Sequence, residues 1–143
     1  MGKCYQKIEI NAEIETVWQK IANFHDMSWA DGVITSLVKV GPASGTEIGA
    51  KRLLNDAIHE TLVSVDGGNF TFSYSIDDGP GPIAKSAVTN YLGVVKLSEC
   101  CAGTLVEWSS SFTSVNESAV TEFCDPIYLA LLGALKGSLA FDG

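Results

Sequence analysis

Residues 104–139 read TLVEWSSSFTSVNESAVTEFCDPIYLALLGALKGSL, and the period of their apolar side chains changes once, at Asn116. Thr104 to Val115 alternates, as a half-buried strand does, because successive side chains of an extended chain point to opposite faces. Beyond Asn116 the positions Val120, Phe123, Cys124, Ile127, Leu131, Leu135 and Leu139 recur every three or four residues, the period of an amphipathic helix. Pro126 lies inside that helix and predicts a bend there. A long apolar helix that follows a run of strands needs a sheet to cover it.

The sheet is legible upstream. Four further segments alternate: Thr46 to Leu54, Ala57 to Asp66, Asn69 to Asp77 and Lys85 to Ser98. Their joints are Asn55-Asp56, Gly67-Gly68, Asp78-Gly79-Pro80-Gly81-Pro82 and Cys101-Ala102-Gly103, all rich in turn formers. Joints this short make neighbouring strands antiparallel. Cys4 to Ile10 predicts a first strand, followed by a helix from Asn11 or Glu13 to about Phe24 that carries Val17, Trp18, Ile21 and Ala22. His25 to Gly32 reads as a brief helix or turn, and Val33 to Val40 as another strand. The expected fold is α+β: a curved antiparallel sheet of about seven strands wrapped around the long C-terminal helix, with an internal cavity between them. Gly133 and Gly137 on that helix leave room for tight packing or for a ligand.

At 143 residues the chain is expected to form one domain, 1–143, large enough for a substantial core. It is 46% hydrophobic and 18% charged, with a mean hydropathy of +0.20, an apolar surplus that an enclosed cavity would use. A net charge of -8 with nine Lys plus Arg argues against nucleic acid and anionic membrane as partners, since both draw on clustered cations. Met1 to Lys7 leads into a strand pattern without the apolar core of a signal peptide, and Gln6 stands where a myristoylation motif needs Ser or Thr. A cytoplasmic protein without membrane insertion is expected, with Cys4, Cys100, Cys101 and Cys124 as reduced thiols. No C-x-x-C pair exists and only His25 and His59 could complete a zinc set, so neither a metal nor another cofactor is expected.

The functional signal is a set of polar side chains on the inward stripes. These stripes are Ile48, Ala50, Arg52, Leu54; Ile58, Glu60, Leu62; Phe70, Phe72, Tyr74, Ile76; and Thr89, Tyr91, Gly93, Val95, Leu97. Buried charges are costly unless paired or wetted. Strand register decides which group accompanies Arg52. A two-residue Asn55-Asp56 turn sets His59 opposite Arg52, whereas a three-residue loop, Asn55-Asp56-Ala57, sets Glu60 there. The residues alone leave both open.

Other candidates have plainer roles. His25-Asp26 could be an acid/base pair, but Asp26 fits turn capping better; Asp77-Asp78 reads as a turn; Ser109-Ser110-Ser111 has no partners for a nucleophilic triad.

The order of elements, with Trp18, Trp29, Gly49-Ala50-Lys51-Arg52, His59-Glu60-Thr61-Leu62, Phe72-Ser73-Tyr74-Ser75-Ile76, Asn90-Tyr91-Leu92-Gly93-Val94-Val95 and Glu107-Trp108-Ser109, resembles the polyketide cyclase/dehydrase branch of the START/Bet v1-like (SRPBCC) helix-grip superfamily. Within that branch it is similar to the plant lachrymatory-factor synthases, whose functional Arg, Glu and Tyr fall on Arg52, Glu60 and Tyr91. The resemblance favours the register that pairs Arg52 with Glu60. It implies catalytic roles for Glu60, Arg52 and Tyr91, and pocket-wall positions at Tyr74 and Trp108. Trp29, Phe72 and Phe112 are further candidates to line a ligand cavity or fill the core. The hairpin between Arg52 and Glu60 is shorter than in those enzymes, which implies a different pocket mouth.

Two functions follow as expectations. One is a cofactor-free cyclase, isomerase or dehydratase acting on a small, largely apolar molecule with a polar or anionic group. The other is a non-catalytic carrier or sensor of lipids or secondary metabolites.

Overall fold

The computed structural model describes residues 2–140. The chain runs through β1 (Gly2–Ile10), α1 (Ile14–Ile21), a 3-10 turn at Ser28–Ala30, β2 (Leu37–Val40), β3 (Lys51–Leu54), β4 (Ile58–Asp66), β5 (Thr71–Asp78), β6 (Val88–Cys100), β7 (Gly103–Ser114) and α2 (Glu117–Ala140). The strands form one curved antiparallel sheet in the order β1-β7-β6-β5-β4-β3-β2. Each strand from β2 to β7 pairs with its sequence neighbour, and β1 closes on β7 from Gly2 opposite Phe112 to Ile10 opposite Thr104. α2 lies across β1, β7 and the Ser28–Ala30 turn. This is the expected α+β helix-grip architecture.

Several elements are shorter than alternation or helical period predicts, each for a local reason. α1 ends at Ile21 rather than near Phe24, because the Asn23 side chain accepts from the His25 N–H at 2.9 Å and Phe24 N bonds Gly45 O at 2.9 Å. Asn side chains compete for backbone groups in this way and stop helices. β2 begins at Leu37 rather than Val33. The Asn55 side chain takes the backbone of that stretch instead, accepting from Thr35 N at 2.7 Å and donating to Val33 O at 3.1 Å. β3 begins at Lys51 rather than Thr46: a turn at 44–50 with Gly49 at φ +94° breaks the alternation and leaves Ile48 67% exposed. Ile48 is therefore not on the inward stripe, which starts at Ala50.

Thr89 also leaves its stripe. Asn90 adopts a left-handed φ of 55° where the β6–β7 register slips, so Val88 and Tyr91, three apart, are both buried and Thr89 is exposed. This is the geometry of a β-bulge. Phe70, at φ 49°, is half-buried against Trp18 rather than in the sheet.

α2 buries Val120, Cys124, Tyr128, Leu131, Leu132, Leu135 and Leu139. It continues through Pro126, which sits on the exposed side, where water can take the carbonyl that a proline leaves unpaired. Gly133 and Gly137 are exposed, with no atom within 4 Å of a Cβ built there, so they neither pack against the sheet nor face a ligand. By length and composition Glu117–Leu139 could cross a membrane, at a mean hydropathy of 1.3, but it is the core helix that the sheet grips.

Candidate functional site

The site begins at the β3–β4 hairpin. Its loop is the three-residue one, Asn55-Asp56-Ala57, with Leu54 opposite Ile58 and Arg52 opposite Glu60. His59 falls opposite Leu53 and faces outward, exposed. Arg52 and Glu60 point inward at 4% and 6% exposure. Arg52 Nε donates to Glu60 Oε1 at 2.8 Å, its Nη2 lies 2.6 Å from the same oxygen, and Nη1 donates to Phe24 O at 2.9 Å. The guanidinium carbon sits 3.7 Å over the Phe24 ring and 5.8 Å from that of Tyr74. Burial pushes the Glu60 carboxyl above its usual 4.5, and Arg52 only partly offsets this.

Beside the pair the sheet supplies aromatic groups from successive strands. Tyr74 of β5 lies flat over Gly93 of β6, whose hypothetical Cβ would stand 2.3 Å from Tyr74 Cζ. Trp108 of β7 donates from Nε1 to the Tyr74 hydroxyl at 2.8 Å. Tyr91 of β6 meets α2: its hydroxyl is hydrogen-bonded to that of Tyr128 and donates to Cys124 Sγ at 3.4 Å. Tyr128 stacks on Trp108 with centroids 5.6 Å apart. Burial raises Tyr74, Tyr91 and Tyr128 well above the usual phenol range and Cys124 to about 12, so all four stay protonated at neutral pH.

Arg52, Glu60, Tyr74, Tyr91 and Trp108 all line one internal cavity, together with Cys124 and Tyr128 of α2 and apolar residues such as Leu54, Ile83 and Leu131. Trp29, Phe72 and Phe112 do not line it. Each stands one layer behind: Phe112 stacks on Tyr91 at 5.7 Å, Phe72 packs 6.5 Å from Tyr74, and Trp29 lies 6.5 Å from Trp108. Their rings are screened by the residues they support. Tyr128 and Cys124 are wall residues that alternation in the strands could not reveal. The available signal was the apolar stripe of α2, where Tyr128 falls four after Cys124. Of the other candidates, Asp26 is a turn cap, accepting from Ser28 N at 3.0 Å and Oγ at 2.7 Å, which holds its carboxyl below the usual range. His25 Nε2 is 2.8 Å from Lys51 O. Among the described residues no three His, Cys, Asp or Glu side chains cluster as metal ligands do.

The cavity measures about 40 Å³. That is room for a few waters at most, whereas sites for small organic ligands run to several hundred Å³. An organic ligand therefore requires the wall to move. Ile58, Ile76, Phe123 and Ile127 line the cavity while only half-buried, and so separate it from solvent.

The geometry agrees with what the chain is similar to. A protein from Nitrosospira multiformis is 37% identical, with 94% of each chain covered and a TM-score of 0.90. Norcoclaurine synthase from Thalictrum flavum, solved with dopamine and hydroxybenzaldehyde, shares the fold at 13% identity, covering 99% of this chain and 87% of its own, with a TM-score of 0.77. The major latex-like protein 151 of Panax ginseng does so at 14% identity, 95% coverage of both chains and a TM-score of 0.76. No curated protein sequence matches the chain. The family model described as polyketide cyclase/dehydrase and lipid transport matches residues 1–140. The chain belongs to that family.

Proposed function

We propose that the protein binds a small, largely apolar molecule in this cavity and moves a proton on it with Glu60. The observation that carries the reading is the Arg52–Glu60 pair, buried yet facing the cavity. As a purely structural device such a pair is a poor choice, because well-packed apolar residues at the same positions are often equally stable or more so. As a site it has use. Glu60 takes a proton from the carbon next to a carbonyl, and the electron pair moves to the carbonyl oxygen. Arg52 has five N–H donors, of which three are directed at Glu60 and Phe24, so two remain to hold that oxygen. Return of the proton to another carbon gives an isomer, with no cofactor consumed. Tyr91 and Tyr74 supply neutral phenol donors along the wall.

A carrier reading is favoured by one specific feature. Both Arg52 contacts to the carboxylate fall on Oε1, a self-neutralised pair in an otherwise mostly apolar wall. The two readings part in one experiment. β-Tetralone, an enolisable aryl ketone, is followed by NMR in D2O for exchange of its α-protons. Exchange above the buffer rate that is lost in Glu60→Gln, with binding of the ketone retained, supports the enzyme. Binding without exchange, or exchange unchanged in Glu60→Gln, sinks it and leaves the carrier.

A further inference from the structure

The cavity has a second polar end. Tyr91 and Tyr128 bury their hydroxyls against each other, Tyr91 donates on to Cys124 Sγ, a weak acceptor, and the Tyr74 hydroxyl lies beside Tyr128. Ser110 lies beside both phenols at 6% exposure, and its Oγ has no hydrogen bond of normal geometry. Phenylalanine at 128 would stack on Trp108 equally well without burying a hydroxyl, and a buried hydroxyl is costly unless fully bonded. The two phenols bond each other and end on a thiol, and the Ser110 hydroxyl behind them is unbonded, so the cluster keeps unused hydrogen-bonding capacity for a further oxygen.

Sheet register fixes where this cluster stands relative to the ion pair. Glu60 on β4 is level with Ile76 on β5. The β5–β6 register runs from Tyr74 opposite Gly93 to Ser75 opposite Leu92, and continuing it brings Tyr91 level with Ile76. Glu60 and Tyr91 therefore share a row, two strand spacings or about 10 Å apart. The ground between is apolar and aromatic, with Ile76 in the same row and Tyr74 in the next.

We infer that the ligand carries two oxygen functions on one elongated apolar body: an acidic or enolisable oxygen at Arg52 and Glu60, and a hydroxyl or carbonyl at Tyr128 and Tyr91. This rests on the reading of the cavity as a ligand site, and it assigns Tyr128 as the residue that selects the far end.

The test pairs an edit of the probe with an edit of the protein. Naphthalene-2-carboxylate and its 6-hydroxy derivative are titrated calorimetrically into wild type, Tyr128→Phe and Tyr91→Phe. In wild type the hydroxyl should tighten binding roughly three- to tenfold, the worth of one hydrogen bond. That preference should vanish in Tyr128→Phe or Tyr91→Phe, with the loss falling on the hydroxy acid more than on the plain carboxylate. A merely structural role for Tyr128 would weaken both probes alike, and that result overturns the inference. So does a wild type that binds both acids equally, a comparison that needs no variant to fold. If neither acid binds, the ligand-site reading itself falls, and this inference with it.

Discussion

Glu60 carries opposing effects in a single side chain. Burial disfavours its ionised form and Arg52 favours it, and the balance leaves the carboxyl raised above 4.5. The folded state therefore holds this proton more tightly than the unfolded chain does. Stability from this group is present below pH 4.5 and is lost as pH rises through the folded value. Glu60→Gln has no proton to lose, so the melting-temperature advantage of wild type over this variant should shrink as pH is raised across that window. Parallel melting curves of the two proteins from pH 4 to 8 check it, and a gap that widens with pH would contradict the burial argument. The same raised carboxyl places the acid limb of any Glu60-dependent exchange above pH 4.5. Substitution of Arg52 by Met acts differently: it leaves a buried carboxyl without its cation, at a cost of about 3–5 kcal/mol, which is partly recovered where Glu60 is protonated.

At the scale of elements, two small residues hold the site's frame. Asn55, at φ 53° in the β3–β4 loop, bonds Thr35 N, Ser36 N and Val33 O through its side chain, tying the chain before β2 to the hairpin that carries Arg52 and Glu60. Asn55→Gly keeps the left-handed backbone accessible and removes these bonds. A loss of about 1–2 kcal/mol in denaturant unfolding is expected, with Asn55→Asp, which keeps the acceptor, in between. Gly93→Ala forces a methyl against the fully buried Tyr74 ring, whose nearest atoms would be 2.3 to 2.6 Å away. A destabilisation of about 1–3 kcal/mol is expected, with disruption of the Trp108–Tyr74 bond readable in tryptophan fluorescence.

These frames also explain what could be read from the chain. Alternation over 104–115 and the helical period after Asn116 fixed the last strand and α2, because both periods are imposed by burial over many residues. The side chains that alternation placed inward on β3, β5 and β6, Arg52, Tyr74 and Tyr91, do line the cavity. Ile48 and Thr89 left their stripes because single residues, Gly49 and Asn90, took left-handed backbone, which alternation does not register. Choosing Glu60 over His59 needed the resemblance, since both registers satisfy the apolar pattern. Tyr128 stayed hidden because a tyrosine within an apolar helical stripe looks like filling until the opposite strand is known.

For the whole molecule, the small cavity couples stability to binding. A grip closed to about 40 Å³ gains packing energy wherever α2 meets the sheet, and an organic ligand must give back part of that gain to enter. The apparent affinity is then the intrinsic affinity reduced by the fraction of molecules open enough to bind. Leu131 tests this relation: it is 5% exposed, on α2, and part of the cavity wall. Leu131→Ala should cost about 2–5 kcal/mol of stability, as truncation of a core leucine does. Leu131 lies one turn from Tyr128 on α2 and takes no part in the hydrogen bonds of the Arg52–Glu60 pair, so its truncation removes no polar contact to a ligand. The variant should therefore melt several degrees lower than wild type and yet bind naphthalene-2-carboxylate more tightly, with differential scanning calorimetry and titration calorimetry on the same preparations as the check. Lower stability together with weaker binding would mean that the closed wall, and not the work of opening it, is what holds the ligand.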